Sequence, residues 1–170
     1  MKKRTMRWAS AGLLLSLFTA SLGMNPPGGG NVSAAAPKSM AAIYTQIQNE
    51  RAAKVVSLVN KERETAGLKP LIVHTNLTKM AKDKAIDMYK NQYFSHTSPV
   101  FGSPFDMMDA YNITYRYAGE NIAKGQKSAE EVVKDWMNSP GHKANILNSN
   151  YKLIGVGYYN GYWVQEFIGK

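Results

Sequence analysis

The 170-residue sequence has no cysteine, which excludes disulfides, iron–sulfur clusters, thiol catalysis, all-Cys zinc sites and acylation at a lipobox cysteine. Acids are scarce: 12 Asp and Glu stand against 21 Lys and Arg, a formal net charge of +9. That excess favours anionic surroundings without choosing among them. Standard catalytic signatures are missing too. There is no G-x-S-x-G elbow, no H-E-x-x-H and no P-loop, and Gly155-Val156-Gly157 meets Asn160 where a dinucleotide fingerprint needs its third glycine. No repeat or low-complexity segment follows residue 40. What remains is 44% hydrophobic and 11% aromatic, too apolar for disorder and long enough for one domain with a real core.

Residues 1–36 read as an export segment. Lys2, Lys3, Arg4 and Arg7 form a positive n-region, and Leu13, Leu14, Leu15, Leu17, Phe18 and Leu22 lie in a short apolar h-region. A membrane span needs roughly 20 apolar residues, so this stretch is short for one. Ala34-Ala35-Ala36 offers an A-x-A-like cleavage site before Pro37, although Asn25–Gly30 makes the approach to it long. Retention as an N-terminal anchor is the alternative. Cleavage would remove four cations and no acid, taking the net charge to about +5. Residues 37–49 then form a partly helical lead-in, and 50–170 the domain.

Within that domain the hydrophobic period changes once. Ile43, Ile47, Val55, Val56, Leu58 and Val59 predict a helix over 40–66, ended by Gly67 at C′ and Pro70 beyond it. Asn76 is placed as N-cap of a second helix carrying Leu77, Met80, Ala81, Ala85, Met88 and Tyr89 on one face. Ser103-Pro104-Phe105-Asp106 and Ser128-Ala129-Glu130-Glu131 start two more, the latter presenting Ala129, Val132, Val133 and Trp136 on one stripe until Pro140-Gly141. Towards the C-terminus Ile154, Val156 and Tyr158 alternate, and Asn160-Gly161 is a type I′ turn signal. A two-residue loop there sets Tyr158 opposite Trp163 and Ile154 opposite Phe167. A further strand is expected near 115–123. Helices first and strands late predict an α+β fold with an antiparallel sheet.

Three histidines bear weighing. His96, in Phe94-Ser95-His96-Thr97-Ser98-Pro99, and His142, in Ser139-Pro140-Gly141-His142, sit in turn-rich contexts where functional side chains concentrate. His74 has no such setting and reads as structural. Ser98 and Ser139 are explained by turn-forming Ser-Pro pairs. Glu120, in the small apolar stretch Tyr117–Ala123, must be solvated, paired or hydrogen-bonded if buried. A histidine partner and a helix-capping role with Asn121 are both open to it.

These segments together resemble a known family. Leu58-Val59-Asn60-Lys61-Glu62-Arg63 with Gly67-Leu68-Lys69-Pro70-Leu71, then Phe94–Pro99, Gly119-Glu120-Asn121-Ile122, Trp136–His142 and Ile154-Gly155-Val156-Gly157 follow in the order of bacterial CAP domains. That superfamily comprises cysteine-rich secretory proteins, antigen 5 and pathogenesis-related 1, and its domain is also called SCP. The resemblance implies a three-layer α–β–α sandwich with a central antiparallel sheet. It also implies a cleft where two histidines and two glutamates converge and can hold a divalent metal such as zinc. His96, Glu120 and His142 match three of the four positions, His96 and His142 as metal ligands and Glu120 as the candidate base. Ser139 lines the cleft where the second glutamate is usual. The implied function is a secreted or wall-associated binding module, a monomer requiring no cofactor. Its ligand would be a wall polymer, lipid or extracellular protein, with no nucleic acid expected. The alternative is a metal-assisted hydrolase of peptide, ester or wall polymer at the same residues.

Overall fold

The first helical pattern becomes one 26-residue helix, α1 (Met40–Thr65), in a computed structural model that describes residues 38–170. The expected export segment, with its expected cleavage site at Ala34–Ala36, lies outside the described residues. Ser39 caps α1, its hydroxyl accepting from Ala42 N–H at 3.2 Å. The helix runs unbroken through residue 50, so the lead-in from Met40 is simply its first turns. Val55 and Val59 are fully buried, whereas Ile43 and Ile47, on the expected apolar face, stay 38% and 44% exposed. The start of α1 reaches past the core to the hairpin tip, where Tyr44 bonds the Asn160 side chain. At the other end Gly67 takes φ +73°, with Gly67 N–H on Glu64 O and Leu68 N–H on Arg63 O, the paired bonds of a Schellman stop.

Arg63 at this stop is only 2% exposed. Its guanidinium donates to Lys69 O at 3.0 Å, Ile146 O at 2.7 Å and Asn148 O at 2.9 Å, tying the end of α1 to two other stretches of chain through one side chain.

After the two-residue strand β1 (Ile72–Val73), α2 spans Thr75–Lys90. Its N-cap is His74, not Asn76: His74 Nδ1 accepts from Leu77 N–H at 3.2 Å. The imidazole substitutes for the usual short polar cap, so the structural reading of His74 gains a specific role. Helix α3 (Pro104–Ala110) starts at Ser103 with Pro104 in the first turn as expected, and there Ser103 and Asp106 close a capping box. The capping box expected at Ser128 is only half made, since Glu131 N–H donates to Ser128 Oγ but the Glu131 carboxylate accepts from Lys127 N–H. Then come β2 (Tyr117–Lys124), α4 (Ala129–Asn138), α5 (Pro140–Ile146), β3 (Leu153–Tyr159) and β4 (Tyr162–Gly169). Pro140 ends α4 as predicted but also opens α5, because its fixed φ and missing N–H suit a first helical turn.

The sheet order is β1-β3-β4-β2. Both longer pairings are antiparallel, and Tyr158 faces Trp163 and Ile154 faces Phe167 as the Asn160-Gly161 loop requires. The short edge pair β1–β3 is parallel, a departure from a purely antiparallel sheet. One face of the sheet packs Ile154, Val156, Trp163 and Phe167 against Val55, Val59, Val132, Val133 and Trp136. The other packs Val164 and Ile168 against Leu77, Met80, Ala81 and Ala85 of α2. Two glycines decide how close α2 comes: a methyl at Gly155 or Gly157 would overlap the Leu77 or Ala81 carbonyl. The layers are α–β–α.

β2 forms the edge of the sheet beyond β4, and an unpaired edge is a liability. Here side chains cover it. Ala118 O accepts from the Tyr151 hydroxyl at 2.9 Å, Glu120 O from Asn145 Nδ2 at 3.2 Å, and Ile122 O from Trp136 Nε1 at 3.3 Å. Alternate carbonyls of a strand point to the same side. Three donors from α4, α5 and the following loop therefore bind the edge in steps of two residues.

Candidate functional site

Consecutive residues of a strand face opposite sides of the sheet, and β2 uses this to hold both histidine segments. Glu120 faces the α2 side, where His96 Nδ1 donates to Glu120 Oε1 at 2.6 Å. Asn121 faces the α5 side, where its Nδ2 donates to His142 O at 3.1 Å and its Oδ1 accepts from Asn145 Nδ2 at 2.9 Å. Neither residue caps a helix. The His96–Glu120 pair joins a carboxylate only 2% exposed to an imidazole 54% exposed, so the site opens at the surface. With Nδ1–H on the carboxylate, Nε2 is the nitrogen left to the outside.

The His96 loop is fastened at its backbone as well. Lys84, fully buried on α2, donates from Nζ to His96 O at 2.6 Å. Asp87, also on α2, accepts from Ser98 Oγ at 2.7 Å, from Asn91 at 2.6 Å and from the Tyr93 hydroxyl. Ser98 Oγ in turn accepts from Val100 and Phe101 N–H. That hydroxyl is consumed by loop anchoring, in line with its structural reading. His142, expected in a loop, lies in the first turns of α5 and is half-buried. Ser139 joins α4 to α5, and its side chain makes no capping bond.

Electrostatics separate the two imidazoles. The Glu120 hydrogen bond raises the His96 pKa above its ordinary 6.5, against partial burial and the Lys84 charge. Burial lowers that of His142, and positive charge on His96 lowers it further. The two rings thus sit in one electrostatic neighbourhood. A raised imidazole pKa stabilises the fold below about 6.5 and loses that contribution as pH rises through the raised value. A lowered one does the reverse: the stability it accompanies is present above about 6.5 and is lost as pH falls through the lowered value. Proton NMR titration should find His96 above and His142 below 6.5, with assignments from His→Ala variants. Glu120→Gln should bring His96 down and leave His142 higher than in the parent at pH values where His96 has lost its charge. Coincident midpoints in the parent would show that the pair is not formed in solution.

Sequence reasoning missed two members of this group. Glu166 is fully buried on β4, directly across from Glu120. Lys84 lies on the buried stripe of α2 between Ala81, Ala85 and Met88. Each had a signal: an acid inside the apolar strand Trp163–Ile168, and a lysine at a core position of a helical period.

Does the donor set suit zinc? His96 and His142 supply two imidazoles, whereas dedicated zinc sites have three or four protein ligands. Among the described residues no group of three or more His, Asp or Glu is arranged to hold an ion. The residues present do not make a dedicated metal centre. A cavity of about 240 Å³ between α1 and α2 at the β3 edge is lined by Ala52, Val56, Thr78, Val156, Gly157 and Tyr158 and contains none of these groups.

A mixed sheet between helical layers, with a histidine–glutamate pair at its β2 edge, defines an SCP-type domain. The chain belongs to the CAP family, the cysteine-rich secretory protein family, which it matches over residues 56–167 although it contains no cysteine. It is 53% identical over 142 residues to YkwD of Bacillus subtilis (strain 168), covering 82% of this chain and 52% of YkwD. To the membrane protein YlbC of the same organism it is 34% identical, covering 75% of this chain and 37% of YlbC. The chain thus spans about half or less of these relatives' length. Its fold is similar to that of an extracellular SCP-domain protein from Bacillus anthracis, with a TM-score of 0.75 at 32% identity, covering 80% of this chain and 45% of that one. An outer surface protein from Borrelia burgdorferi gives 0.66 at 27% identity, covering 71% of this chain and 93% of that one. Among the described residues no helix is long and apolar enough to cross a membrane.

Proposed function

We propose that this CAP domain is exported and serves as a binding module at the cell surface, engaging an anionic wall polymer beside His96 and His142. The observation that carries this over hydrolysis concerns Glu120. One of its oxygens is held by His96 Nδ1, and the other is buried beside Glu166, sealed from any substrate water. A general base must reach the proton that it removes. Glu120 instead orders the site. The positive charge balance and the resemblance to proteins described as extracellular or outer-surface support the location and the sign of the ligand.

Co-sedimentation of residues 37–170 with purified sacculi tests it, with anionic vesicles and extracellular proteins as further arms, with and without zinc or chelator. Saturable binding that weakens with salt and falls at least about tenfold, or about 1.4 kcal/mol, in His96→Ala and His142→Ala is the expected result. Chelator-sensitive release of wall fragments would establish the hydrolase instead. Binding to vesicles alone would move the ligand to lipid.

A further inference from the structure

Glu166 is the buried ionisable group that the site as described leaves unused. It sits on β4 with its whole residue inaccessible, opposite Glu120 in the β2–β4 ladder and opposite Gly155 in the β3–β4 ladder. The outward carbonyls of Ala118, Glu120 and Ile122 mean that Glu120 and Glu166 form a non-hydrogen-bonded antiparallel pair, the kind whose side chains approach most closely. The register sets the two side chains next to each other on the α2 face of the sheet, and burial together with the Glu120 carboxylate pushes the Glu166 pKa well above the usual carboxylate range. Three of their four oxygens, Glu120 Oε2 and both of Glu166, are buried without any conventional donor. Buried polar atoms are rarely left so. A hydrogen on one carboxyl pairs two of these three oxygens, since an acid O–H donates where a carboxylate can only accept.

Charge counting gives the same answer. Lys84 faces the pair from α2 and is the cation beside it; Asp87 and Tyr93 lie further along the same wall, and His96 completes it. One anion balances Lys84. Two carboxylates side by side, sealed from water, do not both ionise. Glu120 accepts from His96 and keeps the negative charge; Glu166, the more deeply buried, keeps the hydrogen.

We propose that Glu166 is a positioning residue for the site: it shares one hydrogen with Glu120 and so fixes that carboxylate as the acceptor that orients His96. It touches no ligand and acts only through Glu120. This deepens the binding reading but does not depend on the ligand, because its test measures the carboxyl group itself.

Infrared spectroscopy of the folded domain at neutral pH should contain a protonated-carboxyl C=O band that shifts in heavy water and disappears in Glu166→Gln. In that variant the amide N–H takes over donation to Glu120. His96 should therefore keep its raised NMR pKa, and the low-field Nδ1–H resonance should persist. Glu166→Leu, which fills the space but donates nothing, should lose that resonance even where it remains folded. An infrared spectrum of the parent without this band would mean an ionised Glu166 paired with Lys84 and would overturn the proposal. So would a fall of the His96 pKa in Glu166→Gln to its value in Glu120→Gln. The wild-type band alone decides the matter if no variant folds.

Discussion

Trp136→Ala is expected to lower stability by roughly 3–5 kcal/mol, the range of large buried aromatic truncations. Trp136 is 1% exposed and stands among Val132, Val133, Phe167 and Ile154, where α4 lies on the sheet. The transfer term and the cavity are only part of the cost. Its indole N–H also donates to Ile122 O, so truncation leaves a carbonyl of the β2 edge unpaired. Trp136→Phe separates the two, keeping most of the volume while removing the donor, and should cost about 1–2 kcal/mol. Denaturant unfolding measures both. An unchanged midpoint for the alanine variant would mean that α4 does not rest on the sheet through this face.

Arg63→Ala is the second large effect, and its mechanism is different. Little apolar volume is lost, yet the carbonyls of Lys69, Ile146 and Asn148 lose their donor together. At about 1–3 kcal/mol for each buried unsatisfied group, partly relieved by entering water, a total of about 3–5 kcal/mol is expected. Arg63→Lys should recover only part, because one ammonium cannot reproduce the planar fork that serves three directions. The measurement is again the midpoint at constant slope. A loss below about 1 kcal/mol would mean that water replaces the guanidinium, since exposed groups of this kind contribute little.

Much of this architecture was legible beforehand. The Trp136 stripe, the Ser103 and Ser128 starts, the Gly67 stop and the hairpin register all rest on local rules, and each recurs in the structure. The partnership of Glu120 with a histidine was one of two open readings, and the burial cost of a lone acid pointed to it. What was not legible depended on distant partners. No local signal makes an imidazole cap a helix ahead of an available asparagine, as His74 does. Pro140 reads equally as a stop and as a start, and only the packing of α5 against β2 chooses. Glu166 was within reach, since the predicted hairpin register places it opposite Gly155. Its meaning needed the second register, β2 against β4, which joins segments over forty residues apart and has no turn to announce it.

The Glu120-Asn121 arrangement also sets what kind of change the gene can absorb. Each side chain owes its role to which side of the strand it faces, so spacing matters as much as identity. One residue inserted or deleted between the Tyr151-bound carbonyl of Ala118 and Asn121 would reverse the alternation. Glutamate would be presented to α5 and asparagine to Lys84, and both histidine segments would lose their anchor at once. Along β2 the exposed ends, Tyr117 and Lys124, can be exchanged, whereas a change of length cannot be absorbed.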